Sequence, residues 1–336
     1  MSEKSLLRCR QLKKYFPIKT GLLRRTVGWV KAVDGVDFSV DPGETFGIVG
    51  ESGCGKSTLG MTLLRLYDPS AGTILFDGND ISRVRYGTLK QMRRNIQMIF
   101  QDPFSSLNPR MSVGAIIEEG LRVHRMGNYR LRSRLVGELL EKVGLNAEHA
   151  SRYPHEFSGG QRQRIGIARA LSLNPRLVVA DEAVSALDVS IRSQVLNLML
   201  DLKREFNLTY LFISHDLGVV KHICDRIMVM YLGKVVEIAS KETLFDGPLH
   251  PYTVALISAV PVPDPDYSMK RILLPGDIPS PIDSPPGCRF HTRCPVVQDL
   301  CRCGEPPLEE KQSGHQVACH FPGSLVFDYR QNGVSD

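Results

Sequence analysis

Hydrophobic positions in the first hundred residues fall in short alternating runs closed by turn residues. Val36-Asp-Phe-Ser-Val40 alternates apolar and polar side chains and stops at Asp41-Pro42-Gly43, and Gly72-Thr-Ile-Leu-Phe76 repeats the arrangement before Asp77-Gly78. A period of two bounded by such residues predicts strands joined by tight turns. From about residue 103 to 157 the period lengthens, and Leu131, Leu135, Leu139, Leu140 and Val143 share one face of a predicted helix. The runs 177–180 and 210–213 are short and wholly apolar, as strands buried on both faces are, with helical stretches at 161–173 and 191–206. Alternating strands and helices predict an α/β core with a parallel sheet. After about Gly247 the texture changes. Pro248, Pro251, Pro261, Pro263, Pro265, Pro279, Pro281, Pro285 and Pro286 predict an irregular appendage without long regular elements. No internal repeat is visible.

A chain of 336 residues, 42% of them hydrophobic, can bury a large core and is not a disordered polymer. No apolar run reaches the roughly 18 residues that a bilayer span needs, and the N-terminal stretch lacks a signal peptide's apolar core. A cytosolic protein is expected, free to dock on a membrane. The net charge of +6 suits a place beside an anionic membrane face but is too small and dispersed to argue for nucleic acid. Of eight cysteines, Cys288, Cys294, Cys301, Cys303 and Cys319 crowd into the last fifty residues. In a reducing compartment such a group points to metal binding before disulfides.

The strongest chemical signal is Gly50-Glu51-Ser52-Gly53-Cys54-Gly55-Lys56-Ser57-Thr58, which fits G-x-x-x-x-G-K-[ST]. It follows an apolar run from Thr45 and precedes a predicted helix from Ser57 to about Leu66, the strand–turn–helix context this motif requires. Glycines there let successive N–H groups converge on phosphate oxygens at a helix N-terminus. Lys56 would neutralise β/γ-phosphate charge and the Ser57 hydroxyl would ligate Mg²⁺. A second signal is the strand Leu177-Val-Val-Ala ending in Asp181 and Glu182, two carboxylates at the C-terminal edge where α/β sheets bind ligands. Asp181 can hold Mg²⁺ and Glu182 can polarise a water. A third is Phe157-Ser158-Gly159-Gly160-Gln161 ahead of a helix, a second anion-binding helix start. One nucleotide does not need two such sites on one chain, so this one is expected to serve a nucleotide held mainly by another subunit.

Together the phosphate turn, Gln101, the segment FSGGQRQR, the strand VVADE, the segment SALD and the histidine of ISHD resemble the ATP-binding subunit of ABC transporters, in order and spacing, as far as about Gly247. The resemblance implies a P-loop NTPase (RecA-like) core with an antiparallel β subdomain and an inserted α-helical subdomain at about 103–160. It also implies a head-to-tail dimer that sandwiches two ATP molecules. In that reading Gln101 touches Mg²⁺ and the attacking water, and Ser158, Gly159, Gly160 and Gln161 form the signature. Asp188 crosses the dimer interface, His215 contacts the γ-phosphate, and Phe16 stacks on adenine, with Tyr15 as a substitute. Two departures stand out: Ala183 where the family has proline, and Phe157 where it more often has leucine. Neither removes a group that faces phosphate.

Spacing alone leaves the thiols Cys288, Cys294, Cys301 and Cys319 open to an iron–sulfur cluster, to zinc, or to no metal, with Cys303 spare or an alternative to Cys301. The segment Pro286-Gly-Cys-Arg-Phe-His-Thr-Arg-Cys-Pro295, with His250-Pro-Tyr-Thr253, resembles the C-terminal extension of oligopeptide and dipeptide importer ATPases. That resemblance implies a [4Fe–4S] cluster. The expected organisation is an ATPase domain at 1–247 and a metal-binding extension at 248–336. The expected protein is an energy-coupling ATPase on the cytoplasmic face of the cell membrane. Its expected partners are a second, non-identical ATPase chain, two transmembrane permease subunits and, indirectly, an extracytoplasmic solute-binding protein, with no nucleic acid. Importers of nickel, glutathione or sugar oligomers share the ATPase pattern, and a soluble ABC ATPase acting on nucleic acid is the competing class.

Overall fold

The computed structural model describes residues 5–21, 25–261 and 271–326; Pro263 and Pro265 of the proline run lie outside them. In chain order the strands are β1 (Leu7–Thr20), β2 (Arg25–Val40), β3 (Thr45–Val49), β4 (Ala71–Phe76), β5 (Asn79–Asp80), β6 (Ile96–Ile99), β7 (Leu177–Asp181), β8 (Thr209–Ile213), β9 (Arg226–Tyr231), β10 (Lys234–Ser240), β11 (Glu309–Gln312) and β12 (His315–Val317). They form two sheets. One is antiparallel, in the order β2-β1-β4-β5; the other runs β11-β12-β10-β9-β3-β8-β7-β6. In the second, β9, β3, β8, β7 and β6 are parallel, while β10, β12 and β11 continue the edge antiparallel.

The apolar runs behave as their composition dictates. Every residue of β3, β7 and β8 is buried, because helices cover one face of the parallel sheet and the antiparallel sheet with the helix Lys56–Leu63 covers the other. The alternating run at 36–40 is the inner end of the much longer β2, with Val36, Phe38 and Val40 turned into a core shared by both sheets. The helical stretch resolves into a single turn at Pro103–Ser106 and the helices Val113–Val123 and Tyr129–Lys142, followed by two short 3₁₀ turns. Asn128 caps the second helix by accepting from the Leu131 N–H at 3.0 Å. Of its predicted face, Leu139, Leu140 and Val143 are buried, whereas Leu131, in the first turn, is exposed.

The proline-rich tail is more regular than its composition suggests. Pro251 opens a helix, Pro251–Ser258, at the first position, where the missing N–H costs nothing and the fixed φ suits the turn. The hairpin β11–β12 adds itself to β10, with Glu237 opposite Val317, so the tail lengthens the core sheet. Glu237 is fully buried and accepts from the N–H groups of Leu249 at 2.7 Å and His250 at 3.1 Å and from His315 at 2.6 Å. A carboxylate so satisfied ties the first turn of the tail helix to its final hairpin.

Candidate functional site

The turn after β3 demands its glycines. Gly50 has φ 150° and Gly55 φ 105°. A Cβ on Gly50 would sit 2.2 Å from the Met230 carbonyl oxygen, and one on Gly55 would sit 2.0 Å from that of Ala32. The loop is thus pressed between β9 and β2. It delivers the helix Lys56–Leu63, which no side chain caps, leaving its first N–H groups to a ligand. Lys56 is buried, its Nζ donating to the carbonyls of Gly50 at 2.8 Å and Glu51 at 2.9 Å.

Two carboxylates approach this turn from β7. The Ser57 hydroxyl donates to Asp181 at 2.9 Å. Burial raises the Asp181 carboxyl above its usual range and Glu182 adds to this, while the Ser57 hydrogen bond and Lys56 pull the other way. Glu182 sits just past the strand in a left-handed conformation, φ 46°, fixed by its N–H on the Ile213 carbonyl at 2.9 Å and by the Ser185 hydroxyl on its own carbonyl at 2.9 Å. Its two carboxylate oxygens face different partners: Gln101 Nε2 donates to one at 2.8 Å, and His215 Nδ1 lies 3.1 Å from the other. Ala183, in the position of the family's proline, packs its methyl into the core.

Gln101, Glu182 and His215 line a cavity of about 720 Å³ together with Ser52, Gly53, Gly55, Lys56, Ser57 and Thr58. Phe16 forms its far wall with Val30 and Ala32, in edge contact with Tyr67 at 5.3 Å and under the Lys14 ammonium at 4.8 Å. Tyr15, the substitute, is turned away to donate its hydroxyl to Asp34. Gly50, Glu51, Cys54 and Asp181 are also not among the lining residues; Cys54 is buried, Asp181 lies behind the Ser57 hydroxyl that donates to it, and Glu51 is held by Arg293. The signature residues do not reach this cavity either. Ser158 caps the helix Gly159–Leu171 through a reciprocal box with Gln161, its N–H to Gln161 Oε1 at 3.0 Å. Gly160 lies so close to Ile191 that a Cβ would meet its methyl at 2.4 Å. Exposed Ser158 and exposed Asp188 flank this packed pair.

Sequence reasoning missed how the tail enters the site. Pro281 lines the same cavity, its carbonyl accepting from Lys31 N–H at 3.3 Å. Phe290 packs at 5.2 Å against Tyr231 and 5.4 Å against Tyr252. Arg289 donates to Asp34 and to the Leu232 carbonyl, and Arg293 donates to Glu51. The only sequence signal for Tyr252, Arg289, Phe290 and Arg293 was their place in the tail segments 250–253 and 286–295.

Cys288, Cys294, Cys301 and Cys319 line one small cavity with His291 and His320, while Cys303 is exposed and outside it. Burial, reinforced by neighbouring thiols, pushes Cys288 up to about 11 and Cys319 up to about 12. Both histidines already face backbone oxygens, His291 that of Cys288 at 2.8 Å and His320 that of Gly304 at 2.9 Å. Among the described residues no three His, Cys, Asp or Glu side chains are gathered to hold a metal ion. The tail therefore offers a converging thiol set rather than a finished coordination shell, which leaves the expected metal-binding extension without direct support.

Residues 33–185 match the family described as ABC transporter, and residues 236–301 the family described as oligopeptide/dipeptide transporter, C-terminal region. The chain is 60% identical to the oligopeptide transport ATP-binding protein AppF of Bacillus subtilis (strain 168), across 95% of this chain and 98% of that one. It is 52% identical to the probable peptide ABC transporter ATP-binding protein y4tS of Sinorhizobium fredii (strain NBRC 101917 / NGR234), across 94% and 90%. Among solved structures, the dimeric post-hydrolysis state of the ATP-binding cassette MJ0796 bound to ADP and Pi superposes with a TM-score of 0.62 at 27% identity, covering 70% of this chain and 98% of that one.

Proposed function

The chain belongs to the ATP-binding subunits of ABC transporters, and we propose that it is the ATP-hydrolysing chain that drives uptake of di- or oligopeptides through a membrane permease. The observation that carries this is the Glu182 carboxylate held between Gln101 and His215 beside the glycine turn. Peptides as cargo rest on the second family match and on the names of the two relatives.

In this reading the turn from Gly50 to Thr58 wraps the phosphates, Lys56 offsets their charge and Phe16 stacks on adenine. Ser57, Asp181 and Gln101 would hold Mg²⁺; a buried carboxyl raised by desolvation beside a hydroxyl is a donor set that gains from a divalent cation. Mg²⁺ neutralises phosphate charge when bound. Glu182 accepts a proton from the attacking water, and His215 steadies the γ-phosphate and that carboxylate together. Ser158, Gly159, Gly160, Gln161 and Asp188, which do not line the chain's own cavity, close over the nucleotide of a second ATPase chain. That chain is non-identical in the favoured reading. Two permease subunits dock beside Gln101 at the cytoplasmic face of the membrane, and the solute-binding protein acts through them. Among the described residues no helix is long and apolar enough to cross a membrane.

The ATPase unit spans 1–247, with its helical subdomain at about 103–160, and the extension spans 248–336. Within the extension Cys288, Cys294, Cys301 and Cys319 would hold a [4Fe–4S] cluster, with Zn²⁺ as the alternative, because the four line one cavity and burial, with neighbouring thiols adding to it, raises Cys288, Cys294 and Cys319, whose protons a bound cation would displace. Iron and acid-labile sulfide in anaerobically purified protein support the cluster; zinc alone selects the alternative.

The test of function is uptake into proteoliposomes holding this chain, the second ATPase chain and the permease. ATP-dependent accumulation of a labelled peptide, lost in Glu182→Gln, is the expected result. Accumulation of nickel or glutathione in its place would change the cargo. Hydrolysis stimulated by DNA or RNA without permease would overturn the transport reading.

A further inference from the structure

Arg293, one residue before Cys294 in the tail, reaches the nucleotide turn. Its side chain is 8% exposed, and its two Nη atoms donate to the two oxygens of Glu51 at 2.7 and 3.1 Å. This is a bidentate fork, the geometry in which an arginine fixes both position and orientation of a carboxylate. Glu51 follows Gly50 in the turn yet is not among the residues lining the nucleotide cavity. Its N–H donates to the Tyr252 hydroxyl at 2.8 Å, also from the tail. Its carbonyl accepts from Lys56 Nζ at 2.9 Å and from the Cys54 N–H at 3.3 Å. The side chain and N–H of Glu51 are thus held by the tail, while its carbonyl anchors the phosphate-binding lysine.

A second arginine of the same loop acts on the other wall. Arg289, four residues earlier, donates to Asp34 and to the Leu232 carbonyl. Asp34 stands two residues after Ala32, whose carbonyl presses on Gly55. Between the two arginines Phe290 is fully buried against Tyr231 and Tyr252. One loop therefore holds the glycine turn directly at Glu51 and braces, through Asp34 and the Leu232 carbonyl, the chain that packs against its Gly55 end. Breaking such a pair from either side strands a poorly hydrated charge, so the loop cannot relax without cost.

We propose that Arg293 is a positioning residue for ATP binding: its fork on Glu51 holds the Gly50–Gly55 turn in the shape that accepts phosphate, so that nucleotide affinity depends on the C-terminal extension. The inference rests on the reading that this turn holds ATP, and it does not require a metal in the extension.

The test is equilibrium binding of a fluorescent ATP analogue, trinitrophenyl-ATP with Mg²⁺, to the full chain, alongside thermal unfolding without nucleotide. Arg293→Ala and Glu51→Gln should each weaken binding by about tenfold, the scale of one charge-assisted hydrogen-bonded pair, and Arg293→Lys should fall between them and wild type. The reversal pair Glu51→Arg with Arg293→Glu should bind more tightly than either reversal alone. Single-variant affinities within about twofold of wild type overturn the proposal, whatever happens to stability, and so does a reversal pair as weak as two independent losses. If Arg293→Ala fails to fold, Glu51→Gln breaks the same fork from the turn and leaves the aromatic packing intact. A wild-type chain that does not bind the analogue overturns the reading beneath the inference and the inference with it.

Discussion

His215 Nδ1 lies 3.1 Å from Glu182 Oε1, on a carboxylate presented from a left-handed backbone with φ 46°. The carboxylate is presented at the end of β7 by a left-handed residue, a conformation that costs about 1 kcal/mol or more for a non-glycine. Its N–H bond to Ile213 at 2.9 Å holds the residue there. Strain kept at such a point is consistent with a side chain whose direction matters more than its contribution to stability.

Glu182→Gln keeps the shape and removes the proton acceptor. Hydrolysis should fall by about 10²- to 10⁴-fold, as loss of a general base implies, with ATP binding retained. His215→Ala should also lower turnover while leaving ATP affinity near wild type. Steady-state ATPase rates of the assembled transporter and equilibrium nucleotide binding check both.

The glycine turn predicts a graded response. Gly55→Ala meets the Ala32 carbonyl at 2.0 Å and should destabilise the chain by more than about 2 kcal/mol, from a left-handed φ compounded by collision. Gly53 has φ 79° and nothing within 4 Å, so Gly53→Ala should cost only about 1 kcal/mol. Urea unfolding of the two variants compares them directly.

Acid should loosen the join between core and tail. Burial alone would raise the Asp34 carboxyl, but the Tyr15 hydroxyl, Lys234 and Arg289 together outweigh it and hold the group below its ordinary value. A depressed folded-state pKa means stability fully present above the unfolded value of about 3.9 and lost as pH falls through the folded one. Asp34→Asn should therefore cost on the order of 3 kcal/mol near neutrality, since it leaves Arg289 unpaired. The gap from wild type should close below about pH 4. Urea midpoints between pH 3 and 7 test this; a gap that widens as pH falls contradicts it.

Cysteine substitutions should sort by position. Cys288→Ser should reduce folded yield more than ATPase activity per folded molecule, because its N–H and side chain sit where the loop meets Cys301. Cys303→Ser, at an exposed site outside the thiol cavity, should leave yield, melting temperature and metal content unchanged. Normal yield and melting temperature in Cys288→Ser contradict a structural role for that loop.

The glycine turn and the Asp181–Glu182 step were legible because each is local: residue type and spacing within one strand–turn–helix unit carry the chemistry. Gln101 and His215 were legible only through resemblance, since Gln101 meets Glu182 across 81 residues of chain and no periodicity encodes that. β1 escaped notice because register shifts at Cys9, Leu12, Lys14 and Ile18 break its alternation. Pro251 was read as a breaker although proline at a helix's first position is a start signal. Arg289 and Arg293 looked like ordinary charges among cysteines; their carboxylates lie 255 and 242 residues away, and only the folded sheet brings them together.

In the proposed dimer the cavity of one chain is only half of an ATP site, the other half being Ser158, Gly159, Gly160, Gln161 and Asp188 of a second protomer. Sedimentation of Glu182→Gln with and without Mg²⁺-ATP, alone and mixed with the partner ATPase chain and permease, measures it directly. An ATP-dependent shift from monomer to dimer that Ser158→Arg abolishes is the predicted result. A Glu182→Gln chain that binds ATP yet stays monomeric in every mixture contradicts the shared ATP site.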